Sequence, residues 1–226
     1  MGPGPDTRSG APGVAGFLDL PPGIRKDIYE LVLEVGHPIY LFQDSGPRIE
    51  TFAPDKPKRW TALLHTNRQL YSEAKAVLYA KNYFYLMDKP QQQDLLLQSF
   101  LDCIGPHNAA SLSRLCISFP VVEKAPDQPE AIRIREDSLR NLGLVQGKCT
   151  NLKTLEMQVS RENSRFLIEA EGGHSQFVRD ALMRIDGQLK AISPVVEKII
   201  VRLFAKDLPS LAIDTMRGFG WVLLDR

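Results

Sequence analysis

Residues 112–119 read L-S-R-L-C-I-S-F, residues 152–159 read L-K-T-L-E-M-Q-V, and residues 196–203 read V-E-K-I-I-V-R-L. All three share the spacing L-x-x-L-x-L-x-L, carried by Leu112, Leu115, Ile117 and Phe119, by Leu152, Leu155, Met157 and Val159, and by Val196, Ile199, Val201 and Leu203. Each copy is read as a strand. Helical patterns separate them: Leu139, Leu142 and Val145, then Phe177, Ala181, Ile185, Leu189 and Ile192. Another helix, with Leu96, Leu97, Phe100, Leu101 and Ile104, precedes the first copy. Strands joined through amphipathic helices run parallel, because the crossover returns the chain to the same end of the sheet. The expected fold class is therefore α/β, with a small, mostly parallel sheet and amphipathic crossover helices. Ile117, Met157 and Val201 are its equivalent inward positions. The spacing resembles leucine-rich repeats, whose period is about 20–29 residues, but these copies lie further apart, so any solenoid is irregular. The Pro- and charge-rich stretch from Val121 to Glu136 and the segment from Glu169 to Ser175 are read as exposed loops.

Upstream, Ile24, Ile28, Leu31, Val32 and Val35 form a helical stripe, with Arg25, Lys26, Asp27, Glu30 and Glu34 on the opposite face. Pro21 and Pro22 suit the helix entry, and Gly36 with Pro38 supplies a stop through a left-handed C-cap. Short strands are expected at 39–42 and 48–52, a helix from Trp60 to Tyr79, and an aromatic strand from Tyr83 to Met87. Asn67 falls on the apolar side of that second helix. Residues 1–16, mostly Gly, Pro, Ala and small polar groups, are read as a disordered tail.

Of the 226 residues, 43% are hydrophobic and 24% charged, a globular composition. With 28 basic against 27 acidic residues, the net charge of +1 argues against a nucleic-acid or membrane-surface binder. The three cysteines, Cys103, Cys116 and Cys149, form no close pair, which suits a reducing compartment, cytoplasmic or nuclear; all three read as small buried hydrophobes. No stretch approaches the length that spans a bilayer. The four histidines, His37, His65, His107 and His174, are scattered, so no metal site is expected. No nucleophile elbow, phosphate loop or dinucleotide fingerprint occurs, and the carboxylates Glu169 and Glu171 have nothing convergent beside them. No cofactor or catalytic residue is assigned. The basic cluster Lys56, Lys58 and Arg59 beside Trp60 is read as a solvated loop.

Residues 18–33 read L-D-L-P-P-G-I-R-K-D-I-Y-E-L-V-L, residues 66–79 read T-N-R-Q-L-Y-S-E-A-K-A-V-L-Y, and residues 100–108 read F-L-D-C-I-G-P-H-N. In this order the three segments resemble the landmarks of a large group of fungal F-box-like proteins, over about the first half of the chain. Two departures stand out: Gly23, where such motifs usually carry Glu, and a long insertion from Pro38 to Arg59. The resemblance implies N-terminal F-box-like helices, with residues 17–88 as that segment and 89–226 as the α/β body. It also implies docking onto a Skp-type adaptor of a cullin-RING ubiquitin ligase, the downstream part selecting a substrate protein. Leu20, Pro21, Ile24, Ile28 and Leu31 are the candidate partner-binding ridge. A scaffold subunit of another complex, without adaptor binding, is the competing expectation, and an enzyme with a scattered polar constellation is the third.

Overall fold

The computed structural model describes residues 16–43, 48–57, 59–87, 92–125, 128–168, 175–192, 196–205 and 208–225. The expected tail and the Glu169–Glu171 pair lie outside them, except for Gly16. Strands β1 (Ile39–Phe42), β2 (Glu50–Phe52), β3 (Tyr83–Leu86), β4 (Arg114–Ser118), β7 (Thr154–Val159), β8 (Lys198–Leu203) and β9 (Val222–Asp225) form a seven-stranded sheet in the order β2-β1-β3-β4-β7-β8-β9. All neighbours are parallel except β1 and β2. Ile117, Met157 and Val201 stand side by side in the register, as the repeat requires.

Helix α1 (Pro22–Leu33) precedes β1, and helices occupy the crossovers: α2 (Arg68–Lys81), α3 (Gln93–Ile104), α4 (Pro106–Ser111), α5 (Glu136–Lys148), the one-turn α6 (Arg165–Ile168), α7 (Ser175–Lys190) and α8 (Ser210–Gly218). From β1 to β9 the parallel strands follow each other in chain order without reversal, so right-handed crossovers stack their helices on one face. The core agrees. Leu41, Phe84, Leu115, Met157 and Val201, all on that face, belong to one continuous apolar cluster with Leu97, Val145, Ile185 and Met216 from the helices. β1 and β3 come from the N-terminal segment, so one sheet and one core run across the expected division at residues 88 and 89.

Several local expectations change. Residues 122–125 and 128–134 form a separate antiparallel pair, β5 (Val122–Ala125) and β6 (Gln128–Ile134), where a loop was expected. The apolar members of the alternation, Val122, Ile132 and Ile134, are buried in the core, which outweighs the Pro and charge content. The expected helix from Trp60 divides into a short 3-10 turn, Ala62–His65, and α2. Asn67 is the N-cap of α2, its Oδ1 accepting from the Leu70 N–H at 3.0 Å. Leu139 is exposed on α5, where Ser138, Asn141, Leu142 and Val145 turn inward instead.

The stop of α1 is also different. The chain leaves the helix at Glu34 with extended backbone, and among the described glycines only Gly105 and Gly220 have positive φ. Asn82, 1% exposed, performs the termination: its side chain accepts from Val35 N–H at 2.7 Å and donates to the carbonyls of Leu33 and Leu78, both at 2.9 Å. One amide thereby satisfies the C-terminal ends of both α1 and α2, whose last carbonyls have no intrahelical partner.

Candidate functional site

Two surfaces carry chemistry that the core does not use. The first is α1. Its inward side is Arg25, Tyr29 and Leu33, one helical turn apart and all buried. The expected solvent placement of Arg25 is overturned: the residue is 5% exposed. Its Nη2 and Nε donate to the two oxygens of Glu73 on α2 at 2.7 and 2.9 Å, and its Nη1 donates to the Leu20 carbonyl at 2.5 Å and that of Leu18 at 3.3 Å. Tyr29 Oη donates to the same carboxylate at 2.8 Å. A guanidinium bonded through all three of its nitrogens can be buried where an isolated one cannot.

This clamp sets the local electrostatics. Hydrogen bonds from Arg25 first, then Gln69 and Tyr29, hold the Glu73 carboxyl down to about 2. Burial first, and the adjacent Glu73 carboxylate second, push the Tyr29 hydroxyl up to about 12. Because Arg25, Tyr29 and Leu33 occupy the core side, the apolar stripe faces outward. Ile24 is 48% and Leu31 83% exposed, Val32 and Pro21 are exposed, and Leu20 and Ile28 are half-buried. The five candidate ridge residues thus lie together at the outer side of α1 and its entry; Val35, read as part of the stripe, is buried beyond the helix end.

The second surface is the face of the sheet turned away from the helices. Successive strand side chains alternate between faces, so the residues between the core positions project there. The register aligns Phe52, Tyr40, Tyr85, Cys116, Glu156, Ile200 and Val222 in one row across all seven strands. None of them belongs to the core cluster or packs against it as a partly buried hydrophobe. At the β2 end the row is aromatic: the Tyr40 ring stacks on Phe52 at 6.2 Å and meets Tyr85 at 5.0 Å.

At the centre lies Glu156, 0% exposed. Its Oε1 accepts from Arg202 Nε at 2.6 Å, while Oε2 stands 3.6 Å from Arg114 Nη2 and has no hydrogen-bond partner. The Arg114 guanidinium lies 4.2 Å over the Tyr83 ring, and Gln158 Nε2 donates to Cys116 Sγ at 3.2 Å. Burial pushes the Cys116 thiol up to about 12 and the Tyr83 hydroxyl well above the phenol range, so neither ionises near neutrality.

No family model, curated protein or solved structure matches this chain.

Elsewhere, Cys116 and Cys149 are buried as expected, whereas Cys103 is exposed, one position off the buried stripe of α3. Lys56 is tied down, donating to the Val32 carbonyl at 3.0 Å with its ammonium 5.8 Å from the Trp60 ring; Lys58 lies outside the described residues. Among the described residues no three His, Cys, Asp or Glu side chains group as metal ligands, and no helix is long and apolar enough to cross a membrane.

The outward sheet face went unread in the sequence, though a signal was present. Parallel strands covered on both faces read as continuous apolar runs. Here Arg114, Cys116 and Ser118 alternate with Leu115 and Ile117, and Thr154, Glu156 and Gln158 alternate with Leu155, Met157 and Val159. Such alternation in a parallel sheet matches a face that, among the described residues, carries no helical layer.

Proposed function

We propose that this chain is an F-box-like protein-interaction module, the substrate-recognition subunit of a cullin-RING ubiquitin ligase working in the cytoplasm or nucleus. Leu20, Pro21, Ile24, Ile28 and Leu31 dock a Skp-type adaptor, and the irregular leucine-rich-repeat-like body presents its substrate on the outward sheet face. The observation that carries this reading is the orientation of α1. Its core side is filled by Tyr29, Leu33 and the Arg25–Glu73 clamp, so Ile24, Leu31 and Val32 of the apolar stripe stay exposed among the described residues. An apolar ridge left outward on a helix is a surface for a partner.

The test pairs adaptor capture with thermodynamic stability on the same preparations. Leu31→Asp leaves the unfolding free energy within about 0.5 kcal/mol, as for an ordinary surface substitution. Ile28→Ala, at a half-buried position, costs less than about 2 kcal/mol. Both weaken capture of a purified Skp-type adaptor by about tenfold or more, the effect of losing a central apolar anchor. A wild-type chain that captures no adaptor removes the ligase assignment and leaves a scaffold subunit of another assembly.

A further inference from the structure

We propose that the outward face of the sheet binds an acidic peptide segment of a partner protein. The segment's carboxylates pair with Arg114, Lys198 and Arg202, and an apolar side chain about four residues away packs on Tyr40 and Tyr85. The site deepens the substrate role given above and rests on the chain being a binding module, not on the adaptor contact.

Charge complementarity is the first ground. Three cations, Arg114, Lys198 and Arg202, surround one carboxylate, Glu156, on adjoining strands. Glu156 is shared between the two arginines, bonded to Arg202 at 2.6 Å and only facing Arg114 at 3.6 Å. Lys198, exposed at the start of β8, makes no ion pair with a described residue. Positive charge therefore remains in excess, and it is immobilised: Glu156 fixes Arg202 from below, and the Tyr83 ring supports Arg114 at 4.2 Å. Guanidiniums whose orientation is already set lose little freedom on pairing with a second carboxylate.

Geometry supplies the second ground. Three strand spacings separate Tyr85 on β3 from Arg202 on β8, through β4 and β7. At about 4.8 Å per strand that is roughly 14 Å, the span of about four extended residues. A peptide crossing the strands places an apolar side chain at the aromatic end and acidic ones among the cations. A polyphosphate fits less well. Glu50 and Glu156 share the surface, and the chain's net charge is only +1.

The probe is a synthetic peptide pool with one Leu, Phe or Trp followed about four residues on by Asp and Glu, passed over the immobilised full chain. A charge-reversed pool with Lys and Arg, a phosphoserine pool and oligo-dT are run alongside. Retention of the acidic pool above all three, weakened by raised salt, is the expected result. Lys198→Glu and Arg114→Gln each reduce it by about fivefold or more with an unchanged melting temperature. Arg202→Gln also removes the partner of a buried carboxylate and can unfold the chain, so Lys198→Glu is the deciding variant. The inference is overturned if the acidic pool is not retained, if any of the other three probes is retained as well or better, or if a folded Lys198→Glu chain retains it as the wild type does. Adaptor capture is measured on the same preparations. Capture without peptide retention overturns this inference alone, and retention without capture overturns the ligase assignment alone.

Discussion

On one face of the sheet Leu115, Ile117, Leu155, Met157 and Val201 are buried among other apolar groups from the helices. On the other, Glu156 and Cys116 are equally buried, but beneath arginine, glutamine and tyrosine side chains of the same face. The first arrangement is non-directional: each fully buried Leu, Ile, Val or Met contributes about 1.5–3 kcal/mol wherever apolar neighbours surround it. The second depends on named partners, because a buried carboxylate without them costs more than burial returns. A face of the first kind sustains the fold, and one of the second kind keeps polar donors at the surface, where a ligand can reach them. Helix α1 repeats the contrast in reverse, with its polar clamp inside and its apolar stripe outside.

The sharpest way to break the contrast is to put a charge on the closed face. Met157→Asp, Ile117→Asp or Val201→Asp buries a carboxylate with no partner, costing several kcal/mol out of a total of about 5–15. Each variant is expected to lose its cooperative transition in urea by circular dichroism. Soluble, cooperative folding of all three would mean that the closed face is not a continuous core.

A smaller effect is expected on the outward face. Arg202→Met strips Glu156 of its 2.6 Å partner and should destabilise by about 3–5 kcal/mol. Glu156→Leu combined with Arg202→Met should recover most of that loss, since an apolar pair needs no partner. Equal urea midpoints for the single and double variants would show that the two groups are not coupled.

The mildest test concerns the clamp beneath α1. Glu73 is held at about 2, below the ordinary glutamate value of 4.5, so its ionised form favours the folded state. That stability is fully present above about pH 4.5 and is lost as pH falls through about 2. Between these limits the wild-type melting temperature should fall more steeply than that of Glu73→Gln. Parallel profiles would mean that the carboxylate is not held down by Arg25.

Much of the sheet was legible because its signal is local. The three copies of the repeat fix the strands and their alignment, since each places its inward residues at the same offset. The aromatic run at Tyr83–Leu86 was equally plain, whereas Ile39–Phe42 reads only as a short strand inside a loop. The hairpin at β5 and β6 was not, because Pro126, Pro129 and the surrounding charges mask the apolar positions Ile132 and Ile134. α8 and β9 carried no repeat copy and were not read at all. Of the candidate ridge, Ile24, Ile28 and Leu31 belong to a visible stripe, with Leu20 and Pro21 leading into it, but a stripe does not reveal which way it faces.

The sequence alone determined the mutual register of β4, β7 and β8, the start of α1 at its proline pair and the apolar character of the ridge, for these follow from periodicity and backbone chemistry within a few residues. Only the tertiary structure decided which side of α1 is buried. Arg25 reads as a solvent residue until Glu73, 48 positions later, supplies the carboxylate that satisfies it. The same holds for Asn82, which ends a helix 49 positions earlier, and for Glu156, whose partner Arg202 lies 46 positions on. A polar side chain is stable in the interior only through its partner, and the partner's identity is a property of the packed molecule rather than of the neighbouring sequence.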